Sequence, residues 1–442
     1  MDLLVIRGGT PLRGSVRVSG SKNAALPIMA ATLLTDGPVR LLEVPRLADV
    51  ATLTQLLRFL GVEIDATGAN ELSLQVTDRQ SFTAPYDLVR KMRASICVLG
   101  PLLARRGRAR VSLPGGCNIG HRPIDIHLRG LEALGANVRV ENGYVLASAR
   151  RLRGATVDLA GPQGTTVTGT ANVMAAAVLA SGSTTITNAA LEPEVVDLAS
   201  FLNTLGARIT GQGTPVIRVE GVSSLDGGVH SVIPDRIEAA TLMTTAIAAG
   251  GEVRIDNVEP EHLASMIQLL RHTGAKLEFI GGDRSPSIVV AQAQRLEPVE
   301  FSAVPFPGIP TDVQAQLTAL LTGAHGTSVV TDSVFPSRFM HVSELCRMGA
   351  RIERRGDNAV IHGGQRLTGA SVMASDLRAS AALVIAALTA QGETTIRRVY
   401  HLDRGYERLD LKLASLGAQV QRLADIPDRT AADQPAPIAR AA

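Results

Sequence analysis

Two kinds of helical pattern alternate along the chain. One is small and apolar on nearly every side, as in residues 171–181 and 378–390, which are rich in Ala, Ser and Thr. The other carries its apolar residues as a stripe, as in residues 50–60. A helix that is apolar all round is packed all round, whereas an amphipathic one covers a core. Each small apolar stretch ends near a glycine (Gly37, Gly107, Gly182, Gly251, Gly326, Gly392) and leads into a β-branched run such as 183–187 or 393–396. Each amphipathic stretch ends at a second glycine followed by Ala or Val: Gly61, Gly135, Gly206, Gly274, Gly349 and Gly417. These are separated by 74, 71, 68, 75 and 68 residues. The pattern predicts six copies of one unit, helix–strand–helix–strand, with the glycines as left-handed helix C-caps. Six units make a solenoid, a closed ring, or two globular domains of three. Residues 227–235, between units three and four, read as a hinge.

Superposing the units locates candidate chemistry. Fourteen or fifteen residues before the first glycine of each unit stand Lys22, Arg93, Thr168, Arg236, Asp312 and Arg378, each at the predicted start of a first helix. Twelve residues after that glycine stand Asp49, Glu194, Leu263, Arg338 and Arg404, at the predicted start of the second helix. Unit two carries an insertion, Pro114-Gly115-Gly116-Cys117-Asn118-Ile119-Gly120, which makes Arg122 its counterpart of Arg338 and Arg404. Helix N-termini carry unpaired N–H groups and suit anions. Convergence of these starts predicts a site for a polyanionic small molecule, with Asp312 and Asp376 as carboxylates for proton transfer. Like charges at equivalent positions are expected to repel one another in the absence of such a ligand.

Composition narrows the class. Of 442 residues 45% are hydrophobic, which excludes disorder as the main state. Aromatics are 3% and Trp is absent, so the core is expected to be Ala, Val, Ile and Leu. Three cysteines, Cys97, Cys117 and Cys346, exclude a disulfide scaffold and suit a reduced cytosolic protein. Cys97 and Cys346 read as inert residues of apolar helices. Cys117, flanked by Gly-Gly and followed by Gly120, reads as a loop residue with a tunable thiol. With 44 basic and 41 acidic residues the net charge is +3, which does not indicate a non-specific nucleic-acid binder. Only four of the cations are lysines: Lys22, Lys91, Lys276 and Lys412. No apolar run approaches the ~18 residues of a membrane span, and no signal peptide is expected. Residues 423–442, rich in Pro and Ala, read as a flexible tail.

Several motifs resemble one family. They are Ser19-Gly20-Ser21-Lys22-Asn23-Ala24-Ala25, Met92-Arg93-Ala94-Ser95, and Leu113-Pro114-Gly115-Gly116-Cys117 running on to Arg122-Pro123. In the second half they are Pro310-Thr311-Asp312-Val313-Gln314-Ala315-Gln316, Arg338-Phe339-Met340-His341, Ala374-Ser375-Asp376-Leu377-Arg378 and His401-Leu402-Asp403-Arg404-Gly405-Tyr406-Glu407. Over roughly residues 1–422 the chain resembles the UDP-N-acetylglucosamine 1-carboxyvinyltransferases of the EPSP synthase-like superfamily. The resemblance implies an α/β fold, a two-domain inside-out barrel of six pseudo-symmetric βαβαββ repeats, three per domain. Domain one would be 22–231, and domain two 1–21 with 232–422.

The implied activity is transfer of the enolpyruvyl group of phosphoenolpyruvate to the 3-hydroxyl of UDP-N-acetylglucosamine. It proceeds by addition and elimination through a tetrahedral ketal, with release of phosphate. It is the first committed step of peptidoglycan synthesis, is cytoplasmic, and uses no cofactor or metal. By resemblance Cys117 is the acid or assists product release, and is the nucleophile alkylated by fosfomycin. Asp312 accepts the 3-hydroxyl proton, its place at a helix start also reading as a cap, with Asp376 ranked second as base. Lys22, Arg122 and Arg404 hold phosphate, and Arg338 and Arg378 the carboxylate. Asn23 bonds the sugar. Arg93, Pro123 and Asp125 meet the UDP, and Gly164 and Val334 complete the substrate-binding set.

Two positions depart from the family pattern. Pro162-Gln163-Gly164-Thr165-Thr166 replaces a Ser-Val-Gly loop at the UDP phosphates, leaving the Gly164 N–H as a donor. Pro336-Ser337 replaces Glu-Asn before Arg338, which shifts proton transfer onto Asp312 and Cys117. Three other readings compete: the sister transfer to shikimate 3-phosphate, a non-catalytic sugar-nucleotide binding protein on the same fold, and an RNA 3′-phosphate cyclase. The Gly-Gly-Cys loop and Arg122-Pro123-Ile124-Asp125 disfavour the first. Retention of Cys117, Lys22 and Asp312 disfavours the second, and near-neutral charge with few aromatics the third.

Overall fold

The structure, a computed structural model, describes residues 2–115, 124–161, 164–282, 286–292 and 294–424. Cys117, Arg122 and Pro123, with Pro162 and Gln163, lie outside the described residues.

The repeat becomes sheets and buried helices. Among the described residues the strands form six four-stranded sheets, each joining a parallel pair to an antiparallel pair. In one, Thr156–Asp158 runs parallel to Ser183–Thr187, which pairs antiparallel with Val216–Glu220 and through it with Arg208–Thr210. The small apolar helices lie inside. Every residue of Leu377–Thr389 except the last is buried, as are twelve of the fourteen residues of Arg236–Ala249. Ala, Ser and Thr at these positions let helix axes approach closely, which is why no large aromatic core is needed.

Apolar side chains form two clusters. One runs from Ala24 to Val232. The other joins Leu4–Val18 to Ile237–Ala418. The chain changes cluster twice. Strands Asp2–Arg7 and Leu12–Arg17 complete sheets of the second lobe, pairing with Glu393–Arg397 and Gly251–Asp256. Gly228–Ser231 returns to complete a first-lobe sheet beside Val39–Leu42. The two crossing segments touch at a bridge between Gly20 and Pro234. A Cβ on Gly20 would lie 1.7 Å from the Glu43 carbonyl oxygen, so this passage admits only glycine. The Asp235 carboxylate fastens the crossing: it accepts from the Ile237 and Glu238 amides of one lobe and the Lys22 amide of the other.

The glycines keep the expected positive φ with one exception, but the first set does not keep the helix-cap role. Gly107 caps its helix, whereas the helices before Gly182, Gly251, Gly326 and Gly392 already end at Ala177, Ala249, Leu321 and Thr389. All six second glycines have positive φ, between 84° and 101°. Of the first set, Gly107, Gly182, Gly251, Gly326 and Gly392 do so, but Gly37 does not. There a 3₁₀ turn, Thr32–Leu34, ends the helix, capped by Thr35, whose amide bonds back to the Thr32 carbonyl. Cys346 also departs from expectation. It lies on the exposed side of the helix His341–Arg347, not in an apolar interior.

Candidate active site

The starts of the buried helices converge between the lobes. Lys22 opens Lys22–Ala31, Arg93 opens the 3₁₀ helix Arg93–Val98, and Arg236 opens Arg236–Ala249. Thr168, Asp312 and Arg378 are the second residues of Val167–Ala177, Thr311–Leu321 and Leu377–Thr389. The second-helix positions divide. Asp49 and Glu194 do begin their helices, Ala48–Phe59 and Pro193–Thr204. Arg338 instead stands in the turn before His341–Arg347, and Arg404 closes the 3₁₀ helix Val399–Arg404. Neither of these two arginines stands at a helix N-terminus.

A cavity of about 520 Å³ lies between the lobes. Its lining includes Lys22, Asn23, Arg93, Asp125, Gly164, Asp312, Val334, Arg338 and Arg404 of the expected set. Arg378 stands behind this wall, 1% exposed, and reaches the site through Asp312. Asp376 is outside the lining. Its Oδ1 accepts from the Arg378 and Ala379 amides, so its geometry is that of a helix cap rather than a base.

Asp312 has the opposite outcome. Pro310 occupies its helix's N-cap position and the Asp312 carboxylate caps nothing. Its Oδ1 accepts from Arg338 Nη1 at 2.7 Å and its Oδ2 from Arg378 Nη2 at 2.9 Å. Burial pushes this carboxyl up, but Arg378 and Arg338 override it and hold it well below the usual carboxylate range. Arg338 is steadied in turn by Thr311 Oγ1, which donates to Asp332. Asp332 also accepts from the amides of Val334 and Phe335, fixing that wall of the cavity.

A second carboxylate organises the other cations. Asp49 Oδ2 accepts from Lys22 Nζ at 3.3 Å and Oδ1 from Arg404 Nε at 2.9 Å. A third, Glu194, takes Arg236 in a two-point pair at 3.0 and 3.2 Å. The expected repulsion among aligned cations is therefore replaced by pairing. Buried positive charge is costly alone, and an acid set among each group offsets that cost. Asp49 and Glu194 stand where the repeat places them, as repeat-equivalent acids, but had no role assigned from sequence; Asp332 was not among the candidates and carried no signal.

At the far end of the cavity the Gly164 amide is not offered to a ligand. It donates to the Gly161 carbonyl at 3.0 Å, and the Gly161 amide donates back to the Gly164 carbonyl at 3.0 Å. Thr165, Thr166 and Thr168 line the cavity here; the Thr166 hydroxyl accepts from the Gly169 amide as a helix cap, and the Thr168 hydroxyl lies 3.2 Å from His127 Nε2. Cys97 also lines the cavity, with a thiol that burial pushes up to about 12, which suits the inert role expected of it.

Below Arg338 the buried His341 is kept neutral, its pKa lowered to about 4 by burial. Between pH 6.5 and 4 the unfolded chain takes up this proton while the folded one resists it, so stability falls as pH falls through that window. The difference amounts to about 3 kcal/mol. Denaturant titrations from pH 7 to 4 should show this slope, and His341→Gln should flatten it.

Two facing lobes of three repeats, with anion-seeking cations gathered between them, define the class of the enolpyruvyl transferases. The family model for EPSP synthase (3-phosphoshikimate 1-carboxyvinyltransferase) matches residues 6–413, and the chain belongs to that family. Among its relatives, the UDP-N-acetylglucosamine 1-carboxyvinyltransferase 2 of Carboxydothermus hydrogenoformans is 53% identical, over 96% of this chain and all of that one. The UDP-N-acetylglucosamine 1-carboxyvinyltransferase of Akkermansia muciniphila is 52% identical, over 96% and 99%. The crystal structure of the enolpyruvyl transferase NikO from Streptomyces tendae superposes with a TM-score of 0.85. It is 28% identical, over 95% of this chain and 98% of that one.

Proposed function

We propose that the chain is a UDP-N-acetylglucosamine 1-carboxyvinyltransferase. It transfers the enolpyruvyl group of phosphoenolpyruvate to the 3-hydroxyl of UDP-N-acetylglucosamine and releases phosphate. The observation that carries this reading is identity of about half of all residues, over nearly the whole length, with relatives of that name. Among the described residues no helix is long and apolar enough to cross a membrane. Both substrates are small molecules, and we place the reaction in the cytoplasm, without nucleic-acid or membrane partner, cofactor or metal. We take domain one as 22–231 and domain two as 1–21 with 232–422.

The site suggests how its residues divide the work. Lys22 and Arg404, with Arg122, take the phosphate. Arg338 and Arg378 take the substrate carboxylate in the geometry that planar guanidinium groups favour. Until that carboxylate arrives both arginines are held by Asp312. Recruiting them leaves the half-buried Asp312 without its cations and beside a new negative charge, and both changes raise its proton affinity. Asp312 is thus a weak base while empty and a stronger one when phosphoenolpyruvate is in place, next to the hydroxyl that must lose a proton. Asn23 holds the sugar, and Arg93, Pro123 and Asp125 the nucleotide. Thr165 and Thr168 take over the phosphate contacts first expected of the Gly164 amide. Val334 closes the sugar side.

A phosphate-release assay tests the activity. Phosphoenolpyruvate with UDP-N-acetylglucosamine should release phosphate, and phosphoenolpyruvate with shikimate 3-phosphate should not; the reverse result would move the chain to the sister activity. Position 117 separates two roles of a thiol. Cys117→Asp should keep measurable turnover and gain no fosfomycin adduct by intact mass. Cys117→Ser should be far weaker, because a hydroxyl is a poor acid at neutral pH. A dead but folded Asp variant would make the sulfur's covalent role obligatory.

A further inference from the structure

We propose that Asp49 is the positioning residue of the phosphate subsite, its two carboxylate oxygens gathering Lys22 and Arg404 at one point of the cleft. The inference rests on the reading of those two cations as the phosphate holders. Asp49 stands in the first lobe, at the start of the helix Ala48–Phe59, and is 4% exposed. One oxygen takes Lys22 of its own lobe and the other takes Arg404 of the second lobe. The carboxylate therefore fixes the separation of two cations that no single element carries.

Its second effect is on charge. Lys22 is buried, and burial lowers its proton affinity; Arg378 and Arg404 press in the same direction. Asp49 is the largest opposing influence, with Asp312 second. A phosphate dianion gains little from a neutral amine, so a lysine in this setting needs a fixed counter-charge to stay a cation. The site uses a carboxylate that is already desolvated and aligned, so little reorganisation remains when phosphate enters. The repeat-equivalent acid Glu194 also grips a second-lobe arginine, Arg236, but has no lysine beside it in its ion pair.

The test compares the wild type with Asp49→Asn and Asp49→Glu, varying phosphoenolpyruvate at saturating UDP-N-acetylglucosamine across pH. In Asp49→Asn the KM for phosphoenolpyruvate should rise about tenfold or more. The alkaline limb of kcat/KM should move about one to two pH units lower. The KM for UDP-N-acetylglucosamine should stay near wild type. Asp49→Glu retains charge with a displaced bridge, so its alkaline limb should stay in place while the KM for phosphoenolpyruvate rises. An Asn variant with an unmoved limb, or a Glu variant with unchanged KM or a fallen limb, would overturn the proposal. Calorimetric binding of inorganic phosphate at pH 7 and 9 reads the subsite without turnover. Weaker binding by Asp49→Asn at pH 9 than at pH 7, relative to wild type, supports the assignment, and equal ratios refute it. Failure of the wild type to turn over these substrates would strike the functional reading and leave this binding result standing.

Discussion

Asp312→Asn should lose turnover by about 10²–10⁴, the usual contribution of a general base, while still binding UDP-N-acetylglucosamine. The amide occupies the same space but takes up no proton and no longer balances two guanidinium groups. Arg338 and Arg378 are 4% and 1% exposed, so the variant should also lose stability. Breaking a buried pair by removing one partner typically costs about 3–5 kcal/mol, and an amide that still accepts hydrogen bonds should fall at or below that range. Loss of a helix cap, at about 1 kcal/mol, is not the relevant mechanism, because Pro310 and not Asp312 precedes the helix. Rates taken well below the melting temperature, with nucleotide binding measured on the same sample, separate the two effects. Near-normal turnover in a folded variant would remove Asp312 from the proton path.

The second large effect is expected of Arg378→Met. Arg378 is among the largest fully buried side chains, and its pairing with Asp312 keeps its charge against the pull of burial. Loss of a charge-assisted contact to the substrate carboxylate should cost about 1.5–3 kcal/mol, or roughly ten- to a hundred-fold in kcat/KM for phosphoenolpyruvate. The pH profile is more specific. Asp312 works as a carboxylate and is held low chiefly by Arg378, then Arg338. Removing the first lets burial raise it, so activity should begin to fail at a higher pH as pH is lowered. Thermal melting would show whether the loss of a buried partner also weakens the fold. An acid limb that stays where the wild type has it would mean that another group sets it.

The helix starts at Lys22, Arg93, Thr168, Arg236, Asp312 and Arg378 were legible because a repeat of about seventy residues places equivalent side chains at equivalent points. The glycines that punctuate it are forced by backbone sterics. The small-residue helices were legible as buried because Ala, Ser, Thr and aliphatic residues dominate them on every side and leave no polar stripe to face water. Local rules of this kind depend on neighbours in sequence. They did not extend to Arg338 and Arg404, where a turn and a 3₁₀ helix stand in place of the predicted helix start.

The pairing of charges was decided elsewhere. Asp49 and Arg404 are 355 residues apart, and Asp312 and Arg378 66 apart. The crossing at Gly20 and Pro234 sets one lobe against the other so that Asp49 meets Arg404, and the packing of Thr311–Leu321 against Leu377–Thr389 within the second lobe brings Asp312 to Arg378. The same holds for the Gly164 amide, lost to the Gly161 carbonyl, and for Asp376, turned onto its own helix. The repeat, the burial of the small helices and the kinds of chemistry available were thus written in the order of residues, through periodicity and backbone sterics. Which acid holds which cation, and which carboxylate faces the cleft, was set by tertiary structure, because electrostatic energy depends on distance in space and on burial, and neither is a property of sequence position.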